Sequence, residues 1–240
     1  MTSKLPISVL LAAKIEEANI RKCLSSLGPA KEIIVIDSQS SDNTESFATG
    51  EFNAKVIQFH YAGGYPKKRQ WALENIEFEG DWILLLDADE QVPEDLWQEI
   101  SSVIDHPGNC VAFMTRKGFH FLGRKFRFGG FSHKALVLFR KGTCRFEELF
   151  EDVAMGLDME VHERVIAEGR IGNLKTPLIH EDFKGLEAYY DRHNRYSTWE
   201  ARLRSSYFDK GRYGQSIIRA RLFGNAQERR RFLKRMVVLQ

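Results

Sequence analysis

The sequence has few cysteines and no long hydrophobic run. Cys23, Cys110 and Cys144 are the three cysteines among 240 residues. They are too few and too scattered for a disulfide framework or a metal-binding cysteine cluster. We interpret them as reduced thiols of a cytosolic protein. The longest apolar runs, among them Trp82–Leu86, have five residues, whereas a membrane-spanning helix needs about 20. The N-terminus has no long apolar signal region.

The overall composition excludes the non-globular classes of protein. Hydrophobic residues make up 43% of the chain and charged residues 28%, which is close to the average for soluble globular proteins. Collagen-like, low-complexity and wholly disordered chains are therefore excluded. At about 100–200 residues per domain, the chain predicts one large domain or one domain with an appendage.

The net charge of +2 hides an uneven distribution of charge along the chain. Residues 184–240 contain 14 Lys and Arg against 5 Asp and Glu, and the rest of the chain contains 21 against 28. A basic end on an acidic body indicates an anionic partner for that end. A phospholipid surface, a nucleic acid and an acidic protein are all compatible with this charge pattern.

The first half of the chain alternates strand patterns with helical patterns. Short apolar runs rich in β-branched residues are typical of buried parallel strands. They occur at Ile7–Ala12, Ile33–Ile36, Ala54–Phe59 and Trp82–Leu86. Helical patterns lie between them, at Glu16–Leu27, Asp42–Thr49 and Lys67–Asn75. This alternation predicts an α/β fold, a parallel sheet flanked by helices, with ligands at the carboxyl ends of the strands.

The second half is less regular. Val111–Thr115 and Ala135–Arg140 have strand patterns, and Gly118–Phe131 between them predicts a loop or hairpin. Glu151–Asp158 predicts an exposed acidic loop. After His180 the apolar and aromatic residues recur at helical spacing.

Two carboxylates follow the strand pattern at Trp82–Leu86. Asp87 and Asp89 stand one residue apart where that strand ends. Mg²⁺ and Mn²⁺ prefer oxygen ligands, and they commonly take one or two protein carboxylates together with phosphate oxygens. The segment therefore predicts a metal site, and the alternative is a solvated turn.

A third carboxylate, Asp37, follows the strand pattern at Ile33–Ile36 in the same way. It is a candidate acceptor for the imide N–H of a nucleobase. The polar run after it includes Ser41 and Asp42, which can cap the next helix. The alternative is that the whole segment is only a helix cap.

Four segments in this order resemble the family-2 glycosyltransferases, which have the GT-A fold, a Rossmann-like nucleotide-binding sheet flanked by helices. The resemblance covers about residues 6–185. More narrowly, the Ala-Asp-Glu ending and a later His-Glu resemble enzymes that extend lipopolysaccharide-core or exopolysaccharide glycans. The four segments are Ile7–Ile20, Glu32–Thr44, Lys68–Leu73 and Asp87–Asp89.

The resemblance implies a nucleotide site and a metal site. Asp37 would bind a uracil base, Asp89 and His180 would hold Mg²⁺ or Mn²⁺, and Gly129-Gly130 would lie where the acceptor and donor sugars meet. The residues implied to contact the nucleotide are Ala12, Ala13, Glu16, Asp37, Arg69 and Asp87.

The resemblance also implies a general base. Val161-His162-Glu163 is the best match to the acidic motif of the family, which makes Glu163 the candidate, with Glu160 as its competitor. A single base and in-line attack predict inversion at the anomeric carbon. The chain departs from the family pattern at three places: Ala12-Ala13-Lys14-Ile15 stands where Pro-Thr-x-Asn is common, Gln70 where Asn is common, and His162-Glu163 where Glu-Asp is usual.

We therefore expect a catalytic domain over residues 1–183, with a nucleotide-sugar half at about 1–110 and an acceptor half at about 111–183. Residues 184–240 would form a basic amphipathic helical extension that ends inside a structural element. The expected activity is transfer of a sugar from a nucleotide-sugar donor, a UDP-sugar, to a glycan or lipid-linked glycan. The expected location is the cytoplasm, peripheral on the inner face of the cytoplasmic membrane.

Two other functions fit parts of the pattern. A nucleotidyltransferase that makes nucleotide sugars would share the sheet and the carboxylates, but Leu11–Glu17 lacks the glycines of its phosphate loop. A non-catalytic module that binds glycans or membranes would keep the fold and would tolerate the loss of Asp89 or Glu163. Nucleic-acid binding is disfavoured, because the body is acidic and no recognition motif occurs.

Overall fold

The computed structural model describes residues 4–63, 65–121, 123–126, 133–148, 164–210, 221–224, 228–229 and 232–233. Its strands are β1 Leu5–Ala13, β2 Ala30–Asp37, β3 Lys55–Gln58, β4 Trp82–Asp87, β5 Glu90–Gln91, β6 Cys110–Phe121, β7 Arg124–Lys125, β8 His133–Arg140, β9 Cys144–Phe146, β10 Val165–Ala167, β11 Arg170–Asn173 and β12 Leu178–Glu181. Its helices are α1 Ile20–Ser25, α2 Thr44–Phe52, α3 Lys68–Asn75, α4 Glu94–Asp105 and α5 Gly185–Lys210.

One mixed sheet organises these elements. Its strand order is β3-β2-β1-β4-β8-β6-β12-β5, and β7 and β11 also pair with β6. The strands β3, β2, β1 and β4 are parallel to one another. The strand β8 is antiparallel to both β4 and β6. The parallel sheet predicted for the first half is confirmed, and the second half extends it with strands of both directions.

The core lies on both faces of this sheet, which explains the continuous apolar runs in the sequence. Along β1 every residue from Ile7 to Ala13 is buried. Its alternate side chains enter two separate clusters, so that Val9 and Leu11 pack on one face and Leu10 packs on the other. A strand covered on both faces has no solvent-facing side, and the alternation of apolar and polar residues is therefore missing.

The helix α4 is an element for which the sequence analysis made no prediction. It buries Leu96, Trp97, Ile100 and Ile104 against the first core cluster. Its signal was present, because these residues recur at helical spacing after Pro93 and an acidic first turn.

Two predicted boundaries differ from the structure. The helical pattern from Glu16 becomes a turn, with the Glu16 carbonyl accepting from the N–H groups of Asn19 and Ile20, and α1 begins only at Ile20. The strand predicted over Val111–Thr115 continues to Phe121, because β7, β8, β11 and β12 pair along its two edges. Of the loop or hairpin predicted over Gly118–Phe131, the described part forms the β6–β7 pair, and residues 122 and 127–131 lie outside the described residues.

Candidate active site

The sheet topology places the predicted nucleotide-binding residues at one edge. In the strand registers, Ala13 lies beside Asp37 on β2, and Ala12 lies beside Asp87 on β4. On the other side of the site, β12 pairs with β5 so that His180 lies beside Glu90. Since the carboxyl ends of β1, β2 and β4 point the same way, these residues lie at one edge of the sheet, where the ligand cleft of such folds is found.

Asp37 is fully buried at the mouth of this cleft. Its carboxylate accepts hydrogen bonds from the Ser40 N–H at 3.1 Å, from the Ser40 hydroxyl and from Gln58 Nε2 at 2.9 Å. These bonds orient the carboxylate and hold the turn after β2. A carboxylate has about four acceptor positions, so base binding by Asp37 stays a prediction. The N-cap of α2 is Asn43, which makes no side-chain capping bond, and Asp42 stands one residue before it, where its Oδ1 accepts from the Thr44 N–H at 3.1 Å.

Asp87 is the centre of an ion-pair cluster. Arg69 pairs with Asp87 Oδ1, and Lys117 Nζ lies 2.7 Å from Asp87 Oδ2. Burial opposes ionisation, but Lys117 and Arg69 hold the pKa of Asp87 far below its usual range. Arg69 and Asp87 were both predicted to contact the nucleotide, and the structure brings them into contact with each other.

Lys117 is a residue of the site that the sequence analysis missed. Its Nζ also lies 2.6 Å from Glu90 Oε1, while Glu90 Oε2 accepts the Asp87 N–H at 3.0 Å. Glu90 is completely buried and holds the turn after β4. No local signal could have found Lys117, because it reaches the cluster only through the pairing of β6 with β8 and β12.

Asp89 and His180 face each other beside this cluster. His180 Nδ1 lies 3.5 Å from Asp89 Oδ1 and 3.6 Å from Glu90 Oε1. Burial disfavours the imidazolium, but Asp89 and Glu90 outweigh it and raise the pKa of His180 to about 9. Burial raises the pKa of Asp89, with His180 opposing that shift. The buried atoms Asp89 Oδ1 and His180 Nδ1 make no hydrogen bond within the part of the chain that the structure describes.

Asp89 Oδ1 and His180 Nδ1, which form an ion pair at 3.5 Å, would fit one divalent cation once the His180 imidazolium has lost its proton. A carboxylate oxygen and an imidazole nitrogen are ligands that Mn²⁺ accepts, and such ions take their remaining ligands from phosphate and water. Over the described ranges, no group of three or more His, Cys, Asp or Glu side chains is arranged to hold a metal.

The loop after β1 is tied to the segment that follows β12. Glu16 Oε1 accepts a hydrogen bond from Lys184 Nζ at 2.6 Å, and Glu16 Oε2 accepts one from Asn19 Nδ2 at 2.8 Å. Asn19 Nδ2 also donates to Asp182 Oδ1 at 2.9 Å. Burial raises the pKa of Glu16 to about 7, with Lys184 opposing that shift and Asp89 reinforcing it. Glu16 thus holds the predicted nucleotide loop against the start of α5.

Glu16 should make the stability of the protein depend on pH. Its pKa is about 7 in the folded chain and about 4.3 in an unfolded chain. The folded state therefore binds the proton more tightly, and the contribution of Glu16 to stability falls as pH rises from about 4.5 to 7. We expect the free energy of unfolding of wild type minus that of Glu16→Gln to fall by about 1–3 kcal/mol over this interval. Urea unfolding at several pH values measures this difference, and Glu17→Gln, at an exposed position, is the control. A difference between wild type and Glu16→Gln that does not change with pH would contradict the prediction.

Ile15 carries backbone strain in the same loop. Its φ is +54°, a left-handed conformation that is an outlier for a β-branched residue. The side chain is 47% exposed, and the backbone N–H donates to Ser40 Oγ at 2.8 Å. The loop is therefore held in this shape by its surroundings. The family pattern often has Asn at this position, and Asn tolerates the left-handed region better.

We expect Ile15→Asn to stabilise the protein. Relief of the left-handed strain should raise the free energy of unfolding by about 1 kcal/mol, measured as a higher midpoint of urea unfolding with an unchanged slope. Lys14→Asn, at the exposed neighbouring position, is the matched control and should change little. A loss of stability in Ile15→Asn would show that the side chain makes a contact that outweighs the strain.

Partly buried aromatic rings extend from His180 towards α5. The ring centroids of Phe119 and His180 are 5.7 Å apart, those of Phe119 and Phe121 are 6.2 Å apart, and those of Phe121 and Tyr189 are 5.1 Å apart. This row of partly exposed rings begins at His180, the metal candidate, and ends at α5.

Four predicted residues lie outside the described residues. They are the loop glycines and the two candidate bases, namely Gly129, Gly130, Glu160 and Glu163. Their roles stay predictions.

Residues 8–147, more than half of the chain, match the model of the family described as glycosyl transferase family 2. The chain therefore belongs to glycosyl transferase family 2. The resemblance inferred from the four motifs is confirmed, and with it the GT-A fold class and the class of enzyme, a glycosyltransferase.

Among curated proteins, the chain is 28% identical over 206 residues to the lipopolysaccharide core biosynthesis glycosyltransferase LpsC of Rhizobium meliloti, covering 84% of this chain and 72% of that protein. It is also 26% identical over 203 residues to an uncharacterized glycosyltransferase of Rickettsia felis, and the match covers 82% of this chain and 69% of that protein.

Solved structures show weaker similarity. TarS of S. aureus aligns with a TM-score of 0.48 and 19% identity, over 73% of this chain and 36% of that one. The glucosyl-3-phosphoglycerate synthase of Mycobacterium tuberculosis, solved with Mn²⁺, UDP and glucosyl-3-phosphoglycerate, aligns with a TM-score of 0.38 and 26% identity, over 49% and 44%. The chain spans less than half the length of either.

Proposed function

We propose that this glycosyltransferase moves a sugar from a UDP-sugar to a glycan or lipid-linked glycan, with inversion and with the help of Mg²⁺ or Mn²⁺. The observation that carries the proposal is the pair Asp89 Oδ1 and His180 Nδ1, which face each other at 3.5 Å without hydrogen-bond partners in the described chain. This pair lies at the carboxyl edge of a parallel sheet, where nucleotides bind in such folds. The name of the Rhizobium relative, a lipopolysaccharide core enzyme, supports a lipid-linked glycan as acceptor.

The leaving group of this reaction is a nucleoside diphosphate, whose negative charge must be stabilised. A divalent cation held by Asp89 and His180 would supply Lewis-acid stabilisation of that charge. The residues around it keep the ligands in place. Lys117 bridges Asp87 and Glu90, and the Glu181 N–H donates to the Asp89 carbonyl at 2.9 Å. Preorganised charges of this kind do not have to reorient as the reaction proceeds.

The acceptor hydroxyl needs a general base, and we propose Glu163 for this role. The support is the match of Val161-His162-Glu163 to the acidic motif of the family. One base that deprotonates the acceptor for in-line attack leads to inversion. Full transfer activity in Glu163→Gln would contradict the assignment and would make Glu160 the next candidate.

We propose that Asp37 binds the uracil base of the donor and so determines the nucleotide specificity. A carboxylate accepts the imide N–H of uracil, and cytosine has no such group. The partly exposed aromatic rings of Phe119 and Phe121 would stack against acceptor sugars.

A thermal-shift panel with UDP, GDP, CDP and dTDP, each with and without Mn²⁺, tests the proposal. A ligand that binds only the folded state stabilises it by about 2.7 kcal/mol at a hundredfold excess over its dissociation constant. We expect a shift with UDP that requires Mn²⁺. A shift with another nucleotide would show that the donor carries that nucleotide instead of UDP. A shift of equal size without Mn²⁺ would show that nucleotide binding does not need the metal. No shift with any of the four nucleotides would contradict the proposal.

We further propose that the protein acts in the cytoplasm, peripherally on the inner face of the membrane. Among the described residues no helix has both the length and the apolar character that would let it cross a membrane. The support for membrane contact is the excess of Lys and Arg in residues 184–240, which would favour anionic lipids. Cosedimentation with vesicles that contain an anionic lipid, but not with neutral vesicles, is the expected result.

A further inference from the structure

The helix α5 presents one face to the candidate active site. Ala188, Arg192 and Tyr196 follow one another at intervals of four residues and are partly buried. Residues at this spacing lie on the same side of a helix. Asp191 and Arg195, each one position earlier along the helix, are exposed. The side of α5 that faces the cleft therefore carries a cation and a phenol.

Arg192 is held by an ion pair with Asp182, which lies two residues after His180. Its Nη2 lies 2.7 Å from Asp182 Oδ2. Asp182 Oδ1 accepts hydrogen bonds from Asn19 Nδ2 at 2.9 Å and from the Lys184 N–H at 3.0 Å. Asp182 directly follows Glu181, the residue whose N–H donates to the Asp89 carbonyl. This short path of bonds sets the position of the guanidinium relative to Asp89.

Arg192 and Tyr196 on this helix face also interact electrostatically with Asp89. Burial disfavours the charge on Arg192, but Asp182, Tyr196 and Asp89 outweigh it and raise the pKa of that guanidinium. Burial, opposed by Arg192 and reinforced by Asp87 and Asp89, raises the pKa of Tyr196 to about 12. Both side chains therefore lie within electrostatic range of the carboxylates at the end of β4.

Three other cations near the site are paired with carboxylates of the protein, and one of them is Arg69, which pairs with Asp87. Lys117 lies between Asp87 and Glu90, and Lys184 bonds Glu16. Arg192 contacts Asp182 through one nitrogen and keeps a quarter of its side chain exposed. A guanidinium has five N–H donors in a planar fork, and this fork matches the oxygens of a phosphate.

We propose that Arg192, oriented by Asp182, binds the diphosphate of the nucleotide donor and holds it as it leaves. The inference rests on the proposed function and deepens it by adding a phosphate-binding residue from α5. Asp182 acts as a positioning residue, because its contacts to Asn19 and the Lys184 backbone hold it in place.

Titration calorimetry with UDP and with UMP, both in the presence of Mn²⁺, tests this role. UMP has the same base and sugar but lacks the second phosphate. We expect Arg192→Gln to weaken UDP binding about 10- to 100-fold, the range for hydrogen bonds to a charged group, and to weaken UMP binding much less. Arg192→Lys keeps the charge without the fork and should lose part of the affinity. Arg195→Gln, three positions further along α5 and exposed, should bind both nucleotides as wild type does.

A purely structural role for the ion pair predicts a different pattern. In that case Asp182→Asn and Arg192→Gln would weaken the binding of UDP and UMP alike and in parallel. With a diphosphate clamp, Asp182→Asn keeps the Arg192 charge but loosens its orientation, so it should lower the preference for UDP over UMP by less than Arg192→Gln does. Urea unfolding of each variant shows whether it is folded, and if Arg192→Gln does not fold, Arg192→Lys provides the comparison.

The outcomes separate the two proposals. A wild-type protein that binds neither nucleotide would contradict the proposed function itself. A wild-type protein that binds UDP, together with an unchanged ratio of UDP to UMP affinity in Arg192→Gln, would contradict the role of Arg192 alone.

Discussion

Replacing Asp89 by asparagine should abolish Mn²⁺-dependent binding of the nucleotide and lower the transfer rate by about 100- to 1000-fold or more, as the loss of one preorganised electrostatic group does in other enzymes. The physical reason is that Asp89 Oδ1 is a buried carboxylate oxygen with no hydrogen-bond partner in the described chain. The amide of asparagine has nearly the same shape but no charge. Thermal shifts with UDP and Mn²⁺, and the rate of sugar transfer, are the measurements.

The stability of Asp89→Asn separates this effect from unfolding. Burial raises the pKa of Asp89, so the neutral amide removes a desolvation cost, but it also removes the charge that stabilises the His180 imidazolium. We therefore expect Asp89→Asn to stay folded near pH 7 in the absence of metal. Asp95→Asn, an exposed carboxylate in the first turn of α4, is the matched control. If Asp89→Asn kept the Mn²⁺-dependent thermal shift, Asp89 would not be a ligand of the metal.

Replacing Lys117 by methionine should destabilise the protein by about 3–5 kcal/mol, the usual cost of removing one partner from a buried ion pair. Lys117 Nζ lies 2.7 Å from Asp87 Oδ2 and 2.6 Å from Glu90 Oε1, and its side chain is 15% exposed. Without it, two carboxylates would face each other with less compensating charge. Urea unfolding at pH 7 measures the loss.

Two further variants show whether this loss comes from the unpaired charges. Arg116→Met, at an exposed neighbouring position of β6, should change the stability by about 0.5 kcal/mol or less. Adding Glu90→Gln to Lys117→Met should restore part of the loss, because one unpaired carboxylate is removed. A stability of Lys117→Met close to that of wild type would show that water or another cation compensates the cluster.

Local patterns were sufficient for the elements that carry the carboxylates. The apolar runs at Ile33–Ile36 and Trp82–Leu86 predicted strands, and the structure has β2 and β4 there with Asp37 and Asp87 as their last residues. A buried parallel strand needs a continuous apolar run, and this requirement can be read directly from neighbouring residues. The order of the motifs then led to the family, which the comparisons confirmed.

Local patterns were insufficient where contacts with residues far away in sequence override the pattern of neighbouring residues. Glu16–Leu27 reads as a helix, but α1 begins only at Ile20. The loop before it is held by the left-handed Ile15 and by bonds from Glu16 to Lys184, a residue far away in sequence. No pattern within the loop contains that partner.

By itself, the sequence determined the alternating strands and helices, the family, and the positions of Asp37, Asp87 and Asp89 at strand ends. Tertiary structure decided which side chains these carboxylates meet. Lys117 reaches Asp87 because β6 pairs with β8 and β12, and His180 reaches Asp89 because β12 pairs with β5. The physical reason is that the spacing of residues along a strand or helix is set by local geometry, whereas partners far apart in sequence are selected by strand order and by the energy of burying charges together.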